Sequence, residues 1–209
     1  MIKHKVKRIV KDIIGWDIEG RLSRSAWVSH IKSGPSKNKN GAGIIVSLTT
    51  IPSRIARVHV CIESILRQTM QPSRIALWLN ARWFPDFRRL PIPLLQQMKR
   101  GLEVYQCNAN WPHNKLLPSL AKWPDAIIAT ADDDVIYPVN WLQELYRTHE
   151  KFPEAVVCQR ARIMTFDSSG SLSRYETWPN SGEQLIRPSH AVFPLGNGGT
   201  LYPPDARAG

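Results

Sequence analysis

Ala126-Ile127-Ile128-Ala129-Thr130-Ala131-Asp132-Asp133-Asp134-Val135-Ile136-Tyr137-Pro138 carries a short apolar run straight into three consecutive carboxylates. The run has the length and character of a buried strand. Carboxylates held this close repel one another and resist burial, so such a strand end either solvates them or brings a cation to them. Residues two apart in an extended segment project to one side, which predicts Asp132 and Asp134 converging on one ligand while Asp133 faces away. Oxygen-only donors suit a hard divalent ion, Mg²⁺ or Mn²⁺, and such ions usually reach proteins together with phosphate groups. Taken alone, the triplet reads equally as a solvated acidic turn capping the helix that follows.

Outward from this stretch the chain alternates. Ile44-Ile45-Val46-Ser47-Leu48-Thr49-Thr50 is β-branched and almost continuously apolar, as a strand covered on both faces must be. After Pro52, the residues Ile55, Val58, Ile62, Ile65 and Leu66 recur every three or four positions, predicting an amphipathic helix that closes near Gln68. Ile75–Leu79 is a second strand, and Leu102–Tyr105 a shorter third beyond a Pro-rich segment. Asn114 is placed to cap a helix carrying Leu116, Leu117, Leu120 and Ala121, with Pro118 in its first turn. The acidic strand follows, then a helix opened by Pro138 with Trp141, Leu142, Leu145 and Tyr146 on one face, then a strand at Ala155–Cys158. Strand and helix in this order imply crossover connections: an α/β domain with a mostly parallel sheet and helices on both faces. From about Arg162 the pattern gives way to Ser/Gly/Pro-rich sequence, before Gly198-Gly199-Thr200-Leu201-Tyr202-Pro203-Pro204 begins a new element.

The 209 residues, 43% hydrophobic, suffice for one core, and the net charge of +11 is unevenly placed. Residues 1–40 hold ten Lys/Arg against three acids, +7 of that total, which marks a basic N-terminal arm ahead of a domain over residues 41–209. In the arm Ile2, Val6, Ile9, Val10, Ile13 and Ile14 lie at helical spacing among Lys and Arg. Two readings stand for residues 1–20: peripheral contact with an anionic membrane surface, or a solvated helix docked on its own domain. No stretch has the roughly 20 apolar residues of a membrane span or the apolar centre of a signal peptide, so the expected location is cytoplasmic, with the inner membrane face as the peripheral option. Cys61, Cys107 and Cys158 stand singly without Cys-x-x-Cys spacing and read as core thiols.

Ligands of open parallel sheets bind beyond the carboxyl ends of the strands, and two features fall there together. One is the Thr49-Thr50-Ile51-Pro52-Ser53-Arg54 turn after the first strand, where Arg54 can meet a phosphate and Thr49 and Ile51 offer backbone atoms to a flat base. The other is the Asp triplet. His113-Asn114-Lys115 precedes the helix before the acidic strand, where Lys115 is placed to hold an anionic donor. Four blocks, Ile45–Arg54, Pro112–Leu116, Ala131–Pro138 and Gly198–Pro204, together resemble glycosyltransferases of the GT-A type, most closely the bacterial family-two-like enzymes.

The resemblance implies a GT-A-like, Rossmann-like fold and a nucleotide-diphosphate-sugar donor, with a glycan or lipid-linked acceptor of the kind used in polysaccharide biosynthesis. It implies that Thr49, Ile51, Arg54, Asn114, Lys115, Asp132 and Asp133 bind the donor. Asp134, with Asp132, would hold Mn²⁺ or Mg²⁺, and Gly198-Gly199 would form the acceptor-side loop. Inverting enzymes of this type carry a carboxylate general base in a motif beyond the Tyr-Pro-Pro block. The chain ends at Gly209, before such a motif, and nothing marks Glu176 or Glu183 as that base. The expectation is therefore a C-terminally truncated domain of weakened activity, its general base missing beyond Gly209 and its catalytic residue unassigned. The rivals are a metal-dependent phosphoryl or nucleotidyl transferase and a basic nucleic-acid-binding protein. The first lacks a Gly-x-x-x-x-Gly-Lys loop, and the second has its charge concentrated in the arm, so no nucleic-acid partner is expected.

Overall fold

The computed structural model describes residues 21–22, 43–108, 112–181, 187–204 and 206. The basic arm and the helix expected within residues 1–20 lie outside this set, apart from Arg21 and the buried Leu22, which are helical. Gly209, beyond which the sequence reading looks for a general base, lies outside it as well, so the expectation of a truncated domain has no structural counterpart here.

Apolar, β-branched runs become strands and the three-to-four periodic segments become helices. In chain order these are β1 (Ile45–Thr49), α1 (Val58–Leu66), β2 (Arg74–Asn80), α2 (Ile92–Lys99), β3 (Leu102–Cys107), α3 (Leu117–Lys122), β4 (Ile128–Thr130), α4 (Trp141–Lys151), β5 (Val157–Cys158), β6 (Ala161–Ile163), β7 (Val192–Pro194) and β8 (Thr200–Tyr202). The central sheet has six strands in the order β3-β2-β1-β4-β8-β5. β1 pairs in parallel with β2 and β4, β2 with β3, and β8 runs antiparallel to both β4 and β5. The result is an α/β sheet, mostly parallel and flanked by helices, compatible with a Rossmann-like fold.

Alternation along the strands divides the core. Val46, Leu48, Ile75, Leu77, Leu79 and Ala129 pack with α1, α2 and α4 on one face, while Ile45, Ala76, Trp78 and Ile128 pack with Leu120 of α3 on the other. Each fully buried Leu or Ile contributes about 1.5–3 kcal/mol by leaving water. Polar pairing ties the second face together: Ser47 Oγ lies 2.8 Å from Ser119 Oγ, which also accepts from Trp78 Nε1 at 2.8 Å. This trio fixes α3, and the 3₁₀ turn Pro112–Lys115 before it, against β1 and β2.

Several expectations are revised. The Pro-rich segment before β3 contains α2, with Pro93 in its first turn, where the missing N–H would have had no intrahelical acceptor. Asn114 does not cap α3; it is buried in the 3₁₀ turn, and Leu116 occupies the cap position. The acidic strand stops at Thr130, so Asp132 to Asp134 occupy a turn and the two-residue alternation expected of them does not apply. The irregular stretch after Arg162 holds a small β6–β7 sheet closed by Tyr175, Trp178 and Phe193, whose ring centroids stand 5.4–5.9 Å apart. The new element at Gly198 is β8, inserted between β4 and β5.

β1, β2 and β3 proceed in one direction across the sheet, and the chain then returns to the other side of β1 for β4. The β1–β4 boundary is therefore a topological switch point, the place where connections leaving adjacent carboxyl ends part and open a crevice.

Candidate functional site

The β1–β4 register pairs Ser47 with Thr130. Carried three residues beyond that pair, it sets Thr50 opposite Asp133, and the Thr50 hydroxyl donates to Asp133 Oδ2 at 2.5 Å. The β1–β2 register, Thr49 with Trp78, likewise brings Ile51 beside Asn80. These residues line a cleft of about 450 Å³ with Thr49, Arg54, Trp83, Pro112, Asn114, Lys115, Ala131, Asp132 and Asp134. Each donor-side and metal-side residue expected from sequence thus lies on one cleft.

The three carboxylates have distinct surroundings. Asp133 is only 8% exposed and also accepts from Arg54 Nη1 at 2.7 Å. Asp134 has a side chain 55% exposed and reaches the same guanidinium nitrogen at 3.2 Å. Asp132 pairs instead with the Lys115 ammonium. Arg54 is held above its ordinary pKa, first by its hydrogen bond to Asp133 and then by the charges of Asp133 and Asp134. Three acids against two bases leave the cleft one formal negative charge, which favours an incoming cation. Among the described residues no group of three or more His, Cys, Asp or Glu is arranged around one point as a metal cage. Asp132 and Asp134 do present hard oxygen donors at the cleft, the chemistry Mg²⁺ or Mn²⁺ takes, but each is engaged by a base that such an ion would displace.

The rest of the lining has a different character. Ile51 and Trp83 are each 40% exposed, giving flat apolar walls, and Thr49 is turned away, its hydroxyl donating to the Trp78 carbonyl at 2.8 Å. Sequence reasoning does not single out Trp83 or Asn80 for this cleft. The signal for Asn80 is its place at the carboxyl end of β2; Trp83, in the following loop, carries none.

Beneath the acidic turn, Cys61 and Tyr137 are buried, and burial raises the pKa of both, so each stays protonated at neutral pH. Cys107 and Cys158 are half-buried, and none of the three cysteines is in a disulfide. Gly198 and Gly199, expected as an acceptor-side loop, are buried and make their close approach to protein: a Cβ would stand 2.8 Å from Arg160 Cγ at Gly198 and 2.5 Å from the Trp141 ring at Gly199. The glycine beside the ionic site is Gly196, whose Cβ would stand 3.2 Å from Lys115 Nζ and 3.5 Å from both Asp132 carboxylate oxygens. Glu176 is exposed in the 3₁₀ turn Tyr175–Thr177, 3.9 Å from Arg174, and Glu183 lies outside the described residues. No helix among the described residues is long and apolar enough to cross a membrane.

No protein-family model matches the chain, and no curated protein sequence matches it.

Proposed function

We propose that this chain is the nucleotide-sugar-binding domain of a GT-A-type glycosyltransferase, moving a sugar from a nucleotide-diphosphate-sugar to a glycan or lipid-linked acceptor. The observation that carries the reading is the meeting, at one switch point, of the Thr50–Arg54 turn after β1, Lys115 before α3 and the Asp triplet after β4. Such a cleft joins an acidic end to apolar walls, as a ligand with a flat base at one end and a diphosphate at the other requires.

Asp132 and Asp134 would hold Mg²⁺ or Mn²⁺, which when bound supplies Lewis-acid stabilisation of the negative charge developing on the departing diphosphate. Arg54 and Lys115 add fixed positive charge at the same end. Asp133 plays a supporting part, because from its buried place between Thr50 and Arg54 it aims the guanidinium into the cleft. Ile51 and Trp83 offer faces to the base, and Asn80 and Asn114 polar groups to its edges or to the ribose.

Isothermal titration with uridine-, guanosine- and thymidine-diphosphate sugars, with and without Mn²⁺, tests the reading. Expected is binding that depends on the metal and falls about tenfold or more in Asp134→Asn, about 1.4 kcal/mol. Absence of metal-dependent binding to the folded protein across that panel rejects the donor site.

A further inference from the structure

We infer that Tyr137 and Trp141 are positioning residues that lock the acidic turn and the Gly196–Gly199 turn into one fixed arrangement around Lys115. Both backbone groups of Asp132 are gripped from below. Its N–H donates to the Tyr137 hydroxyl at 2.8 Å, and its carbonyl accepts from the Cys61 thiol at 3.1 Å. Tyr137 is fixed in turn: its own N–H donates to Ser64 Oγ at 3.1 Å, and its ring lies against Trp141 with centroids 4.2 Å apart. Trp141, wholly buried, donates from Nε1 to the Gly198 carbonyl at 2.9 Å. Gly199, at φ +83°, presses its backbone onto the same indole, and Gly196 meets the Lys115–Asp132 ion pair.

The contacts form a closed circuit: Asp132, Tyr137, Trp141, Gly198–Gly199, Gly196, Lys115 and back to Asp132. The acidic turn lies outside every helix and strand, and Gly196–Gly198 forms only a single 3₁₀ turn; ordering a residue's backbone costs about 1–2 kcal/mol, so turns this short, left to themselves, would sample many arrangements. Sites of charged groups tolerate little such looseness, since displacements of about 1 Å can cost a hundredfold in rate. Tyr137 and Trp141, four residues apart around the start of α4, remove it. Their functional weight rests on the reading of the cleft as a donor site, but the circuit itself has a ligand-free readout.

Tyr137→Phe keeps the ring against Trp141 and deletes the acceptor of the Asp132 N–H. In hydrogen exchange without ligand, expected is acceleration of about tenfold in the segment from Ala131 to Ile136, a smaller rise from Leu195 to Thr200, and no change in β1 to β3. The Trp141 indole proton resonance should also move, although Tyr137 makes no hydrogen bond to it. Titration of Mn²⁺ together with UDP or GDP should show about tenfold weaker binding than the parent. Unchanged exchange in either turn overturns the inference, and so does faster exchange with unaltered affinity. If the parent binds neither nucleotide with Mn²⁺, the donor reading fails instead, and exchange in the two turns alone decides the positioning. Should Trp141→Phe fold, it is expected to loosen the glycine turn first.

Discussion

Asp133 and Asp134 are chain neighbours with opposite duties, and single substitutions separate them. Asp133 is buried and accepts from Thr50 and Arg54, so Asp133→Asn places an amide donor against one of two donors. The expected cost is about 1–3 kcal/mol, read as a lower urea midpoint. Asp134→Asn removes a carboxylate more than half exposed, whose pairing to Arg54 is screened by water; its stability should change by no more than about 0.5 kcal/mol while metal-dependent binding falls. Equal stability losses in the two variants would remove the division of labour. Gly199→Ala should cost about 3 kcal/mol or more, because φ +83° is hostile to a side chain and the new methyl meets the Trp141 ring. The triplet is legible as a site because clustered carboxylates demand a partner. Its orientation is not, since that follows from where β4 stops, and the pairing of Thr50 with Asp133 requires the β1–β4 register, which joins residues 83 apart in the chain.

Helices α1 and α2 are joined by a buried ionic cluster whose loss should be felt by the whole face of the sheet. Glu63 is completely buried and accepts from Arg100 Nη1 at 2.7 Å, from Gln97 Nε2 at 3.2 Å and from Arg67 Nε at 3.2 Å. Arg100→Met removes the buried partner, leaving Glu63 with a half-exposed arginine and an amide, and the expected destabilisation is about 3–5 kcal/mol by urea unfolding. Glu63→Met with Arg100→Met should recover part of that loss, because no uncompensated charge stays inside; a double variant no better than Arg100→Met alone would contradict the account. At this scale the parallel core is readable. β1 and β2 announce themselves by the nearly continuous apolarity of Ile44–Thr50 and Ile75–Leu79, and α1 and α4 by their spacing. α2 is hidden by Pro91 and Pro93, which look like breakers yet sit where a first turn has no bond to lose. β8 is visible only as a beginning: three residues reveal neither their antiparallel direction nor their insertion between β4 and β5.

Across the whole molecule the sheet's reversal at β1–β4 gathers the cleft, while α4 stands behind the acidic turn, carrying Trp141 at its first turn against Tyr137 and packing on β5 and β8. The same helix ends in a pH-sensitive element. His149 is buried in its last turn, and its Nδ1 has no hydrogen-bond partner among the described residues. Burial pushes its pKa below the ordinary 6.5, against the smaller opposing pull of Glu150 and Glu154, while Tyr146 stands 6.0 Å away ring to ring. The unfolded chain therefore binds this proton more readily than the folded one. His149 makes no demand on stability above pH 6.5, where it is neutral in both states, and costs stability as the pH falls from there through its lower folded pKa. Carboxylates titrate over part of the acid range as well, so the comparison that isolates the histidine is between the parent and His149→Gln, each unfolded by urea at about pH 7.5 and about pH 5.5. The parent should lose more stability between the two pH values than the variant, because glutamine takes up no proton on unfolding. Because α4 holds Trp141 against Gly198, the same acidification should also lower the protection of the glycine turn against hydrogen exchange in the parent, taken relative to the intrinsic exchange rate at each pH, and lower it less in His149→Gln. Parallel losses in the two proteins would move the acid sensitivity away from α4, to carboxylates paired elsewhere in the fold.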